Sequence, residues 1–267
     1  MLITSLQNPR IREIVRLRQG RKRRQTGKVL IDGQREVCRA LRSGFPVREI
    51  YACPELMSDE AHAWMAKLPD LFEVTPDVFR KIAYGEREDG VLAVADSQEK
   101  TLDEVLDELP TDRPPLLGVL EGVEKPGNIG AILRSADGAG FSALIVADPK
   151  TDLFNPNTIR ASLGTIFSVP VCTASAMEVR HALRQRGITM YAAIVDGAEH
   201  YTHADFTGPS AVILGSEAWG LTEAFRGEGI HPIFLPMLGI ADSLNVSTTA
   251  AILFYEALRQ RNGDSTQ

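Results

Sequence analysis

The sequence has no long hydrophobic run. No stretch approaches the roughly 20 apolar residues that a membrane span needs, and Ile14-Val-Arg-Leu-Arg18 breaks any apolar leader core near the start with charge. The expectation is a cytoplasmic protein with no membrane partner. Cysteine is scarce: Cys38, Cys53 and Cys172 are odd in number and widely spaced, with no Cys-x-x-Cys pair, so neither a disulfide framework nor a zinc site is supported. They read as small buried apolar residues. The histidines are dispersed, and His200-x-x-His203 has no third ligand near it in sequence, so no metal is expected. Phosphate-cradling glycine patterns are missing too. There is no Gly-x-x-x-x-Gly-Lys-Ser/Thr, and where a dinucleotide fingerprint would follow a strand the chain reads Glu124-Lys-Pro-Gly127-Asn-Ile-Gly130. Internal repeats and low-complexity tracts are also absent.

What is present is an ordinary soluble composition, 44% hydrophobic and 24% charged over 267 residues, enough for two domains. The net charge of −6 hides a sharp division. Residues 1–48 hold 13 Lys and Arg against three acids, a balance of +10, and the remainder carries −16. Such asymmetry points to a nucleic-acid face on an otherwise acidic molecule. The cations Arg10, Arg18, Arg21, Lys22, Arg23 and Arg24 accompany Leu6, Ile11, Ile14, Val15 and Leu17 at near-helical spacing, so they belong to a folded amphipathic segment rather than a loose tag. They are the candidate phosphate contacts of a nucleic acid, with an affinity that should fall steeply with salt.

The pattern predicts α/β architecture throughout. Strands at Lys28–Gly33, Val47–Cys53, Leu71–Thr75 and Val91–Ala95 alternate with helices at Gln34–Ser43, Asp59–Lys67 and Pro76–Ala83, forming a small domain over residues 1–95. Acid- and proline-containing residues 96–115 read as a linker with a short helix over Leu102–Leu109. From residue 116 to 261 strands begin at Leu116, Ala143, Val169, Thr189, Ala211 and Ile233, and a last helix runs from Asn245 to Arg261. Their near-continuous apolar character predicts a parallel sheet covered on both faces. Residues 262–267 read as a frayed tail.

Three strand ends in the second domain deliver polar groups: Leu116-Leu-Gly-Val-Leu-Glu-Gly-Val-Glu-Lys-Pro-Gly-Asn-Ile-Gly130, Ala211-Val-Ile-Leu-Gly-Ser-Glu-Ala-Trp-Gly-Leu221, and Leu235-Pro-Met followed by Ser243-Leu-Asn-Val-Ser247. Open α/β sheets bind ligands at such places. A Ser or Asn here is also a natural helix cap, so capping is the plain account of each taken singly. Together, Asn128-Ile-Gly-Ala-Ile-Leu-Arg134, Leu214-Gly-Ser-Glu217-Ala-Trp-Gly220 and the third stretch resemble the three motifs of the SpoU/TrmH branch of the SPOUT superfamily, knotted RNA ribose 2′-O-methyltransferases. The resemblance covers residues 113–261, departs at none of the polar motif positions, and makes the first 95 residues similar to an L30e-like substrate-binding domain.

The resemblance implies a deep trefoil knot, S-adenosylmethionine as cofactor, and a homodimer in which one subunit's residues complete the other's site. It implies cofactor contacts from Leu214, Gly215, Leu235, Met237, Leu244, Asn245 and Val246, and catalytic roles for Asn128, Arg134, Glu217, Ser243 and Asn245. Asn128 and Glu217 would orient Arg134 and the loops; Ser243 and Asn245 would position the ribose. A guanidinium with a pKa above about 12 is a reluctant base, so the proton acceptor stays open. Trp219 is open between base stacking and packing in a core or dimer. Ribosomal RNA is the first expectation for substrate and transfer RNA the second. A non-catalytic RNA-binding or ribosome-assembly protein of the same fold, and a nucleotide enzyme without RNA, are the rival readings.

Overall fold

A computed structural model describes residues 1–263 apart from 67, 69–70, 86–88 and 196–198. The chain divides into two compact units, Met1–Gln98 with Phe154–Ser168, and Glu99–Leu153 with Val169–Gln267. Among the described residues no helix is long and apolar enough to cross a membrane, and no group of three or more His, Cys, Asp or Glu is placed to hold a metal.

The first unit opens with β1 (Leu2–Ile3), α1 (Pro9–Arg16) and α2 (Gly20–Thr26). Helix α1 starts where it does because Asn8 accepts the Arg10 amide at 2.9 Å and Pro9 fills the first helical position. It turns Ile11 and Ile14 into the core. The basic segment is thus two helices, not one. Arg23 on α2 folds back across the break, its Nη1 donating to the carbonyls of Leu17 at 2.7 Å and Arg18 at 2.9 Å. There follow β2 (Lys28–Asp32), α3 (Gln34–Arg42), β3 (Val47–Ala52), α4 (Asp59–Met65), β4 (Phe72–Val74), α5 (Pro76–Ile82) and β5 (Val91–Asp96). The sheet runs β1-β4-β3-β5-β2, with β5 antiparallel to both neighbours and the β1, β4, β3 side parallel. The expected end of the fourth helix at Lys67 lies outside the described residues; α4 is observed to Met65.

Residues 154–168 complete this unit, although the sequence pattern runs a single body from 116 to 261. Phe45 meets the rings of Phe154 and Phe167 at 5.3 and 4.7 Å, and Arg39 Nη1 donates to the Leu163 carbonyl at 2.9 Å. Gly164, at φ +85°, lies so close to Glu36 and Arg39 that a side chain there would crowd both.

In the second unit α6 (Leu102–Asp107) opens on a capping box, the Thr101 hydroxyl accepting the Glu104 amide and the Glu104 carboxylate accepting the Thr101 amide. Its Val105 and Leu106 are buried in the second core, so from residue 99 the expected linker is part of the unit. Then come β6 (Leu116–Glu121), α7 (Pro126–Gly138), β7 (Ala143–Ala147), α8 (Pro156–Ala161, in the segment just described), β8 (Val171–Ala174), α9 (Ala176–Gln185), β9 (Thr189–Ala193), β10 (Glu199–His200), β11 (Ser210–Leu214), β12 (Ile230–Phe234) and α10 (Val246–Arg261). The sheet is parallel throughout, in the order β10-β12-β9-β11-β6-β7-β8, as the apolar strands predict. Strand β8 begins at Val171 rather than Val169 because Pro170 has no amide to give a ladder. Between β11 and β12 a single tight turn covers Glu223–Phe225.

Helix α10 packs over α7 and β11, and its Phe254 ring reaches β6 at Gly118. Gly118 makes this possible: a Cβ there would stand 3.1 Å from the Phe254 ring, which also meets Phe141 at 3.8 Å between centroids. At the far end of α10 the Arg261 guanidinium donates to the carbonyls of Pro114, Phe206 and Gly208 at 2.6, 2.7 and 2.6 Å. The strand register aligns Leu214 with both Leu120 and Ala193, and Ile233 with Ala193. The carboxyl ends of β6, β9, β11 and β12 therefore share one edge, where loops can converge.

Candidate functional site

Strand β11 ends at Leu214 and the chain turns at once through a narrow hairpin. Ser216 and Gly220 exchange backbone hydrogen bonds at 3.2 and 3.0 Å, the Ser216 hydroxyl accepts the Trp219 amide at 3.1 Å, and Gly220 takes φ +64°. Gly215 lies against the backbone of Gly220, leaving no room for a side chain. Below the hairpin, buried Glu121 at the end of β6 accepts from the Thr222 amide at 2.8 Å and hydroxyl at 2.6 Å, pinning the returning strand. The tip, Glu217-Ala218-Trp219, is thereby held rigid.

Glu217 is the point where the three motifs meet. Its Oε2 accepts from Lys125 Nζ at 2.5 Å, and its Oε1 from Asn128 Nδ2 at 2.9 Å and Asn245 Nδ2 at 2.5 Å. The Lys125 ammonium holds the Glu217 carboxyl below its ordinary range; burial works against this, and the Asn128 amide adds to it. Asn245 also caps α10, its Oδ1 accepting the Ser247 amide at 2.9 Å and hydroxyl at 2.6 Å. Capping and site geometry are therefore one arrangement, since the amide oxygen starts the helix and the amide nitrogen reaches Glu217.

Beside this hub lies a cavity of about 730 Å³, within the range of small-molecule sites. Leu214, Gly215, Leu235, Met237, Leu244 and Val246 all line it, with Ser243, Glu217, Trp219, Ile194, Ile233 and Arg226. Most of the lining is apolar, with Glu217, Arg226, Asp242 and Ser243 among it, a surface suited to an adenosyl group and a thioether-like tail. Asn245 is outside the lining and touches the cavity's wall through Glu217.

Arg134 is not in the network. It stands exposed on α7 and makes no hydrogen bond or ion pair with the described residues, so Asn128 and Glu217 orient each other and Asn245 rather than the arginine. Lys125, by contrast, is a member that the sequence pattern did not single out. Its only sequence signal is its place just before Pro126 and Asn128.

The six candidate RNA cations also divide. Arg21 and Arg24 are exposed, and Lys22 is partly so. Arg10 pairs with Glu49 and lies over the Phe72 ring at 4.7 Å, and Arg18 donates to the carbonyls of Lys81 and Ala83. Arg23 is 5% exposed and spends its guanidinium on the α1–α2 break, which removes it as an RNA contact.

Residues 115–255, more than half of the chain, match the SpoU rRNA Methylase family. The chain belongs to that family. Residues 8–93 match the MRM3-like substrate binding domain, so both units of this SpoU methylase have counterparts. Among its relatives is the 23S rRNA (uridine(2479)-2′-O)-methyltransferase of Streptomyces viridochromogenes, 33% identical over 90% of this chain and 85% of that protein. Another is the 23S rRNA (guanosine(2553)-2′-O)-methyltransferase RlmP of Bacillus subtilis, 29% identical over 95% of this chain and 97% of that protein. A crystal structure of an RNA 2′-O ribose methyltransferase superposes with a TM-score of 0.85 at 38% identity, covering 98% of this SpoU chain and 100% of its own. The S. viridochromogenes SpoU methyltransferase AviRb, solved in complex with AdoMet, follows at TM-score 0.84 and 30% identity, covering 96% and 99% of the two chains.

Proposed function

We infer that this SpoU-family chain methylates ribose 2′-hydroxyls of ribosomal RNA, with S-adenosylmethionine as donor. The observation that carries the reading is the meeting of three strand-end loops on Glu217 beside a cavity lined by apolar residues and a few polar and charged ones. Relatives named as 23S rRNA 2′-O-methyltransferases, and a neighbour solved with AdoMet, support it. When bound, the donor supplies an electrophilic methyl group on a sulfonium. Leu214, Gly215, Leu235, Met237, Leu244 and Val246 would hold it, their apolar side chains excluding water while backbone groups answer the polar edge of the adenine. Asn128, Glu217 and Asn245 keep the three loops in register, and Ser243 faces the same cavity to position the ribose.

A guanidinium is a poor proton acceptor, so Arg134 would act as a cation at the reacting hydroxyl or its neighbouring phosphate. An arginine with no bond to the described residues suits a homodimer in which each subunit completes the other's site, with the C-terminal segment threaded as a trefoil knot. RNA would be gathered by the first unit through Arg21, Lys22 and Arg24, in the cytoplasm where ribosomal RNA is assembled. The test is to incubate the protein with labelled donor and unmodified 23S, 16S and transfer RNA, then map 2′-O-methyl marks. Label confined to one ribosomal ribose is expected. Label on transfer RNA alone, or on no RNA, overturns the reading.

A further inference from the structure

Trp219 is 84% exposed at the tip of the Ser216–Gly220 hairpin, an unusual position for the largest amphipathic side chain in a protein. The exposure is not fraying. Reciprocal Ser216–Gly220 bonds, the Ser216 hydroxyl on the Trp219 amide, and the close contact of Gly215 with Gly220 hold the tip in one conformation. The indole lines the cavity wall, two residues from the carboxylate on which Lys125, Asn128 and Asn245 converge. We propose that Trp219 is the stacking platform for the base of the nucleotide being methylated, a proposal that rests on the RNA reading above.

A ribose whose 2′-hydroxyl must enter this cavity leaves its stack, and its base loses the neighbours it stacked on. An exposed aromatic face beside that cavity replaces them and accepts any base, because every base has a π-face. The surroundings favour a nucleotide over a second copy of this chain. Lys125 is 70% exposed, and Glu217, Arg226, Asp242 and Ser243 line the same cavity, whereas the core of a protein–protein contact is depleted of charge.

The chain has two tryptophans, so Trp64→Phe leaves Trp219 as the sole tryptophan, excited selectively over the tyrosines. Its emission should be quenched saturably by unmodified 23S rRNA at fixed protein concentration. Trp219→Ala should raise the KM for that RNA roughly tenfold to a hundredfold, and Trp219→Phe should restore most of it. Trp219 emission that changes on dilution without RNA and ignores added RNA would assign the indole to a contact between copies and overturn the proposal. So would an unchanged RNA KM in Trp219→Ala. If the Trp64→Phe protein methylates the RNA while Trp219 stays silent, only the platform fails; if it methylates no RNA, the functional reading fails with it.

Discussion

Glu217 gathers three donors onto two oxygens, and the two oxygens do different work. Oε1 joins the first and third motifs through two amides, while Oε2 takes the Lys125 charge. Glu217→Gln keeps an acceptor for the amides and loses the ion pair; Glu217→Ala loses both. Donor affinity measured by calorimetry should therefore fall about threefold for Gln and about tenfold or more for Ala, following the value of neutral and charged hydrogen bonds. Since Lys125 lowers the Glu217 pKa, the hub is intact above the ordinary carboxylate range and is lost only as pH falls through the lowered value. No acid limb between pH 5 and 7 is expected from this residue.

Asp32 shows the opposite sign. Burial pushes its carboxyl from 3.8 up to about 6, against the Tyr84 amide that favours the anion. The folded state holds this proton more tightly than the unfolded chain, so stability is highest below about pH 4 as far as Asp32 is concerned, and it declines as pH rises to 6. Asp32→Asn should remove the cost, raising unfolding free energy at pH 7.5 by about 1–3 kcal/mol in urea titration and flattening that pH dependence.

At the scale of elements, the joint between α1 and α2 separates cations that composition makes alike. Arg23→Ala would leave the Leu17 and Arg18 carbonyls without their donor and should cost about 1–3 kcal/mol of stability. Arg21→Ala with Arg24→Ala should leave the melting temperature within a degree or two, weaken RNA binding, and reduce its salt slope by about two. The difference was not legible in the sequence, because a guanidinium bonded to carbonyls five and six residues earlier leaves no periodic trace. The longer strands and helices were legible, since apolar spacing of 2 or 3.6 survives over five or more residues. Strands β1 and β10, two residues each, carry no alternation and exist only through their partners β4 and β12. In the site, Asn128, Glu217 and Asn245 could be named from the resemblance to the family's three motifs, but their mutual bonding, the part played by Lys125 and the separation of Arg134 depend on which loops the sheet order brings together.

At the scale of the molecule, the basic balance of residues 1–48 against the acidic remainder sets one end of the chain toward polyanions and makes the rest repel them. Encounter with RNA is thus oriented before any specific contact forms. A homodimer is also expected at this scale, and sedimentation at micromolar concentration should give about twice the 29.2 kDa chain mass. A clean monomer that still methylates RNA would show that Arg134 serves its own chain's cavity.

The return of Phe154–Ser168 to the first unit has a consequence during synthesis. A growing chain lengthens by about 5–20 residues each second, and domains at the amino end commonly settle first. Here the leading half cannot finish its aromatic contact at Phe45 until Ser168 has left the exit tunnel, by which time β6, α7 and β7 are already outside. The first unit is therefore completed only after part of the second has emerged.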